Sequence, residues 1–157
     1  MMTMAHFRKL LSMGLLIGLG IAWSPTVAYA GDGVAAKVEE GEIRFQFVQL
    51  KDGGVIRCAL YKAPEDHMKK SFQDVIGSVS GGRAQCVFTH VGPGTYSMAA
   101  YHDENNNGKL DTNFFGIPKE GVCASNNAKG TMGPPKYQDA SFIFNGSFSQ
   151  ELRMTYR

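Results

Sequence analysis

The stretch Glu42-Ile43-Arg44-Phe45-Gln46-Phe47-Val48-Gln49 sets Ile43, Phe45 and Phe47 at every second position against polar neighbours. A period of two sends successive side chains to opposite faces of a strand, whereas a helix would scatter the same residues around its axis. The segment reads as a half-buried strand, and the chain repeats the pattern. Lys51-Asp52-Gly53-Gly54 turns into a strand over 55–61, where Ile56, Cys58 and Leu60 share a face. Residues 84–91 carry Cys86, Phe88 and His90 on one side. After the turn Gly92-Pro93-Gly94, residues 95–102 carry Tyr96, Met98 and Ala100 on one face. Strands return at 140–144 and 148–156, joined by the hairpin signal Asn145-Gly146. Six or more short strands with turn residues between them predict an antiparallel β-sandwich. Tyr96, two residues after Gly94, fits either a tyrosine-corner contact of a Greek-key sandwich or an ordinary core position. Residues 64–82 are polar, anchored only by Phe72, Val75 and Ile76, and read as a long loop or one helical turn.

Composition narrows the class. With 157 residues, 43% of them apolar and 19% charged, the chain can form one core but not a large multidomain enzyme, and it is not the composition of a disordered chain. The first 30 residues read as a signal peptide: Arg8 and Lys9, an apolar run over 10–23, the breaker Pro25, and the small-x-small site Ala28-Tyr29-Ala30. The run is about 14 residues against roughly 20 for a membrane span. A flexible leader over 31–40 and a single domain over 41–157 follow. Taking Arg8 and Lys9 from the 16 basic residues leaves 14 against 14 acidic ones. A neutral mature chain argues against nucleic acid and against a polybasic membrane patch, and no membrane insertion is expected after cleavage. The expected location is the periplasm or the medium.

An exported chain meets oxidising conditions. Cys58 and Cys86 lie in strand-like segments, and a disulfide between them, 28 residues apart, would contribute about 2–4 kcal/mol. The other reading leaves all three cysteines unpaired, with Cys58 and Cys86 as small core residues. Cys123, among Gly, Ser and Asn, is the odd thiol.

Residues 103–138 read as one long loop rich in Asn, Gly and Pro, and so long a connection is usually functional or held by something. Asp103-Glu104-Asn105-Asn106-Asn107-Gly108-Lys109-Leu110-Asp111 places oxygen-bearing side chains at relative positions 1, 3, 5 and 9 and Gly at 6. This is the first part of a calcium loop: alternate residues of a tight curl point at one cation, and Gly permits the bend. Asp103, Asn105, Asn107 and Asp111 would offer side chains and Lys109 its carbonyl. Phe114 stands where an EF-hand has its bidentate Glu, so Glu120 or Asn113 would have to complete the shell. Weak binding, about 10⁻⁴–10⁻³ M, is expected of such a set. The alternatives are an Asx-turn network without an ion, or another metal.

The runs Gly94-x-Tyr96, His102 to Asn113, Gly116-Ile117-Pro118-Lys119-Glu120-Gly121, Ser125-Asn126-Asn127 and Gly133-Pro134-Pro135 resemble the signature of an exported bacterial family catalogued as a domain of unknown function (number 2141). The resemblance covers roughly 41–157 and implies a secreted or periplasmic protein with a transthyretin-like (prealbumin-like) or carboxypeptidase-regulatory-like sandwich. Cys123 departs from that pattern. More distantly, the Asn-rich loop is similar to calcium loops in β-sandwich repeats of bacterial surface adhesins.

An exported, non-catalytic module with a calcium-stabilised loop, serving as an accessory or binding protein toward a protein or glycan of the envelope, is the function expected. The alternative is a small periplasmic hydrolase or metal-dependent enzyme using His102 with Asp103 and Glu120. His102 is expected to fix the loop, His90 to be partly buried and satisfied, and His67 to face solvent. The terminal Tyr156-Arg157 is shared with the tail of transthyretin-like purine-pathway hydrolases, but the Gly-Ser that should follow and their early His motif are missing. Phe114-Phe115 either pack under the loop or form an exposed patch.

Overall fold

The computed structural model describes residues 39–157; the expected signal peptide and all of the leader before Glu39 lie outside the described residues. Among the described residues the strands are β1 (Gly41–Val48), β2 (Val55–Tyr61), β3 (Gln73–Ser78), β4 (Arg83–Val91), β5 (Gly94–Asp103), β6 (Val122–Ala124), β7 (Phe142–Phe144) and β8 (Ser147–Arg153), with a short helix, α1 (Tyr137–Ala140). They form two sheets. One has the order β4-β1-β8; the other runs β3-β2-β5-β6, with β7 also on β5.

The sandwich forms where the alternating faces predict. Ile43, Phe45 and Phe47 of β1 are fully buried, as are Ile56 and Leu60 of β2 and Tyr96 and Met98 of β5. Phe45 stands edge-on to Phe88 at 6.3 Å and to Phe142 at 5.7 Å, so the middle of the core is aromatic. Each large apolar side chain so buried contributes about 1.5–3 kcal/mol by leaving water. Cys58 and Cys86 form a disulfide, and because β2 and β4 belong to different sheets it ties the two layers through the core.

Several local expectations are corrected. Strand pairing is antiparallel except for β1 with β8, which run parallel from Glu42↔Ser147 to Val48↔Arg153. Consequently Asn145-Gly146 does not close a hairpin: β7 pairs with β5 and β8 with β1, so this turn carries the chain from one sheet to the other. Residues 137–140 are helical, so Ala140, expected to open a strand, ends a helix instead. The 64–82 segment contains β3, whose alternation is faint because, of its inward row Gln73, Val75 and Gly77, only Val75 is a large apolar residue, while Ile76 is 58% exposed. A Cβ at Gly77 would lie 2.2 Å from the Gln85 carbonyl oxygen, so only glycine lets β3 approach β4 there.

Nor is 103–138 wholly irregular, since β6 and a 3₁₀ turn at Ser125–Asn127 occupy its middle. His90 is exposed, not partly buried. Gly41 pairs with Val91 but Ile43 with Phe88, so β4 carries one extra residue there, and His90 takes φ +57°. That bulge reverses the alternation and sends Val91 into the core instead. The Tyr96 hydroxyl donates to the Gly92 carbonyl at 2.9 Å, so the residue is at once a tyrosine-corner contact and a core side chain.

Candidate functional site

Strand β5 delivers its last residue, Asp103, into the base of the Asn-rich loop, opposite Val55 at the start of β2. The Asp103 side chain is completely buried. Its Oδ2 accepts from Arg57 Nε at 2.7 Å and from the Gly108 N–H at 2.9 Å, and its Oδ1 accepts from the Asn107 N–H at 2.9 Å. Burial pushes this carboxyl up, but the Arg57 guanidinium and the two backbone N–H groups outweigh that and hold it below the ordinary carboxylate value. The same bond raises Arg57. Glycine is needed twice here. Gly108 has φ +80°, and a Cβ at Gly54 would lie 2.3 Å from the Asp103 carbonyl oxygen.

The Asn side chains fold the rest. Asn105 Oδ1 accepts from the Asn107 N–H at 3.1 Å and Asn107 Oδ1 from the Lys109 N–H at 2.8 Å, two successive Asx turns. Their amide nitrogens converge on Asp111 Oδ2 at 2.8 and 3.0 Å. Glu120, only 5% exposed, then folds back over both ends of the curl: Oε1 accepts from the Glu104 N–H at 3.1 Å, and Oε2 from the Asp111 N–H at 2.9 Å. Asn113 is turned elsewhere. Its Oδ1 accepts from the N–H groups of Phe115 and Ile117 and shapes the next turn.

The loop thus gathers Asp103, Asn105, Asn107, Asp111 and Glu120, and leaves out Asn113. Carboxylate and amide oxygens are the ligands a hard cation takes. Among the described residues, however, no three of His, Cys, Asp and Glu group as a metal site. A carboxylate offers about four lone-pair positions, and three of Asp103's are in use. Asn105 and Asn107 turn nitrogen, not oxygen, toward Asp111, so a cation there requires both amides to rotate, at the cost of their two Asx bonds.

His102 is fixed by other partners. It is fully buried, with Nε2 2.8 Å from the Gly53 carbonyl and Nδ1 2.8 Å from the Tyr156 hydroxyl. A carbonyl only accepts, so Nε2 carries the proton and Nδ1 accepts from the phenol. Tyr156 lies across Gly121, where a Cβ would come within 2.5 Å of the ring, and Thr155 bridges to Val122. His102, Asp103 and Glu120 therefore have disjoint sets of partners, and neither ring nitrogen is free to act as a base.

Other residues gain roles that the sequence did not announce. Arg57 was an unremarked charge on the outer face of β2. Ser125 is buried and its hydroxyl joins Met98 of β5 to Ala140 of α1. His67, expected in solvent, is instead inserted between Tyr61 and Tyr137, with Nδ1 2.9 Å from Ser97 Oγ and Nε2 3.0 Å from the Pro135 carbonyl. Cys123 is free and packs against the core, and burial pushes its thiol up to about 12. Phe114 and Phe115 form the exposed patch, at 97% and 82% exposure.

Among the described residues, no helix is long and apolar enough to cross a membrane. No curated protein and no solved structure matches the chain. The model of the family described as "Uncharacterized protein conserved in bacteria (DUF2141)" matches residues 36–151, from ahead of β1 into β8, and the chain belongs to that family.

Proposed function

We propose that this protein is an exported, non-catalytic module of the cell envelope that presents a rigid loop, residues 103–121, which calcium tightens. The observation that carries the reading is the pair of buried carboxylates, Asp103 and Glu120, which bond the backbone at both ends of an oxygen-rich curl. An accessory or binding protein needs such a pre-shaped surface more than it needs a free base, since ordering a loop in advance lowers the cost of binding. The intersheet disulfide is consistent with an oxidising compartment, periplasmic or external. In the calcium-bound form Asp103, Asn105, Asn107, Asp111 and the Lys109 carbonyl are the ligands, and Glu120 closes the shell that an EF-hand closes with its twelfth residue.

Thermal unfolding against calcium tests the reading. At tenfold excess over a dissociation constant of about 1 mM, a site present only in the native state adds about 1.4 kcal/mol, an upward shift of roughly 4–6 °C for a domain of this size. Asp111→Ala removes a ligand without touching the Arg57–Asp103 pair and abolishes the shift. A midpoint unmoved by 10 mM calcium overturns the calcium part; recovery of the natural chain from the cytoplasmic fraction overturns export.

A further inference from the structure

Beyond the ion loop the chain builds a second device. Asp111 accepts from the Lys119 N–H, Thr112 bridges to Pro118, and Asn113 N donates to the Ile117 carbonyl, so residues 111–119 make a miniature hairpin. Asn113 Oδ1 fixes the apex from inside through two further bonds, and Glu120 clamps the base. At the apex stand Phe114 and Phe115, edge-on to each other at 5.5 Å and, among the described residues, stacked on no other ring. Ile117 and Leu110 add partly exposed apolar surface below them, at 39% and 38%. Lys109 and Lys119, both exposed, flank the base.

An apolar pair this bare costs solubility, yet the hydrogen bonds hold it outward instead of letting it fold under. Two exposures of 97% and 82% describe a convex point, not the floor of a groove. A convex apolar point with cations one layer behind it matches a bilayer interface. Rings enter the acyl boundary while lysine stems reach back to anionic headgroups. We infer that the 111–119 hairpin is a peripheral anchor whose Phe114 and Phe115 insert into an anionic lipid surface. The contact departs from the expectation of no membrane insertion, but it is a tip contact and not a spanning segment. It is weak and reversible, on the order of the 10⁴ M⁻¹ of a single acyl chain. That a bilayer is within reach rests on the envelope reading. The insertion itself does not depend on calcium.

The test is a Phe114→Trp chain titrated with vesicles of 30% phosphatidylglycerol in phosphatidylethanolamine, with EDTA present. The titrated chain is the exported form that begins after Ala30; because Trp23 lies in the expected signal peptide, the introduced indole is its sole tryptophan. The expected result is a blue shift of the introduced indole and its quenching by brominated acyl chains. Phe115→Ser in the same chain should weaken partition at least tenfold, and Lys119→Glu about fivefold. At 97% exposure the substituted position does not bear on folding, which an unchanged melting midpoint verifies. Emission unmoved by vesicles overturns the inference. A shift that appears only on raising protein concentration also overturns it, and assigns the tip to a second copy of the chain. Failure here leaves the calcium midpoint and the fractionation result standing, so the two readings fall separately.

Discussion

The core and the 103–121 segment obey opposite rules of placement. Around Phe45 the apolar side chains are inside and the charges outside, and the order comes from leaving water. In the 103–121 segment two carboxylates are inside and two phenylalanines outside. Apolar burial is non-directional and tolerates rearrangement. A buried carboxylate is stable only while each lone pair in use keeps its donor. The core therefore supplies most of the stability and the loop supplies shape, and the two should fail differently.

The largest effect should come from the core. Phe45→Ala removes a ring packed edge-on to Phe88 and Phe142 and should cost about 3–5 kcal/mol, read as a lower denaturant midpoint with the loop and sheets unfolding together. Asp103→Ala should cost less, about 2–3 kcal/mol, because Arg57 is 31% exposed and regains water while the N–H groups of Asn107 and Gly108 lose their acceptor. Its cost should vanish from the loop resonances first, leaving β1 amide protection high; equal loss in both regions would break the comparison.

Acid offers the same division without mutation. Asp103 titrates below its ordinary value of 3.8, so the unfolded chain takes up the proton more readily than the native one. Its contribution is complete above about that ordinary value and is lost as pH falls through the lower native value. The Asn107 and Gly108 amide signals should therefore lose their native shifts in acid, while the core, which holds no carboxylate, keeps its own. The smallest effect belongs to the tip: Phe114→Ser with Phe115→Ser should leave stability within about 0.5 kcal/mol, since both rings are already in water. A larger loss would mean that the rings support the fold.

This contrast also explains how much could be read from the residues alone. Ile43, Phe45 and Phe47 write their burial into the sequence as a period of two, and so do Ile56, Cys58 and Leu60. β3 leaves little trace in the sequence because Val75 is the one large apolar residue of its inward row Gln73, Val75 and Gly77, while Ile76 points out. The oxygens of 103–111 were legible as a motif with known spacing, and Glu120 was one of two candidates to close it. Arg57 was not legible: it lies 46 residues from Asp103, and only the β2–β5 register brings them together. The same holds for Tyr156 against His102, 54 residues apart. Long-range polar pairs leave no periodic trace.

The parallel pairing of β1 with β8 governs the order in which the molecule can be made. Phe45 lies opposite Gln150, so the three-stranded sheet joins nearly the two ends of the domain. A chain emerging from its N-terminus can place β1 beside β4 early, but the third strand arrives only after Arg153 has been released. Non-local pairings of this kind are slow to form. Until then the apolar row of β1 lacks half its sheet, so the closing of this layer waits on the last strand of the chain.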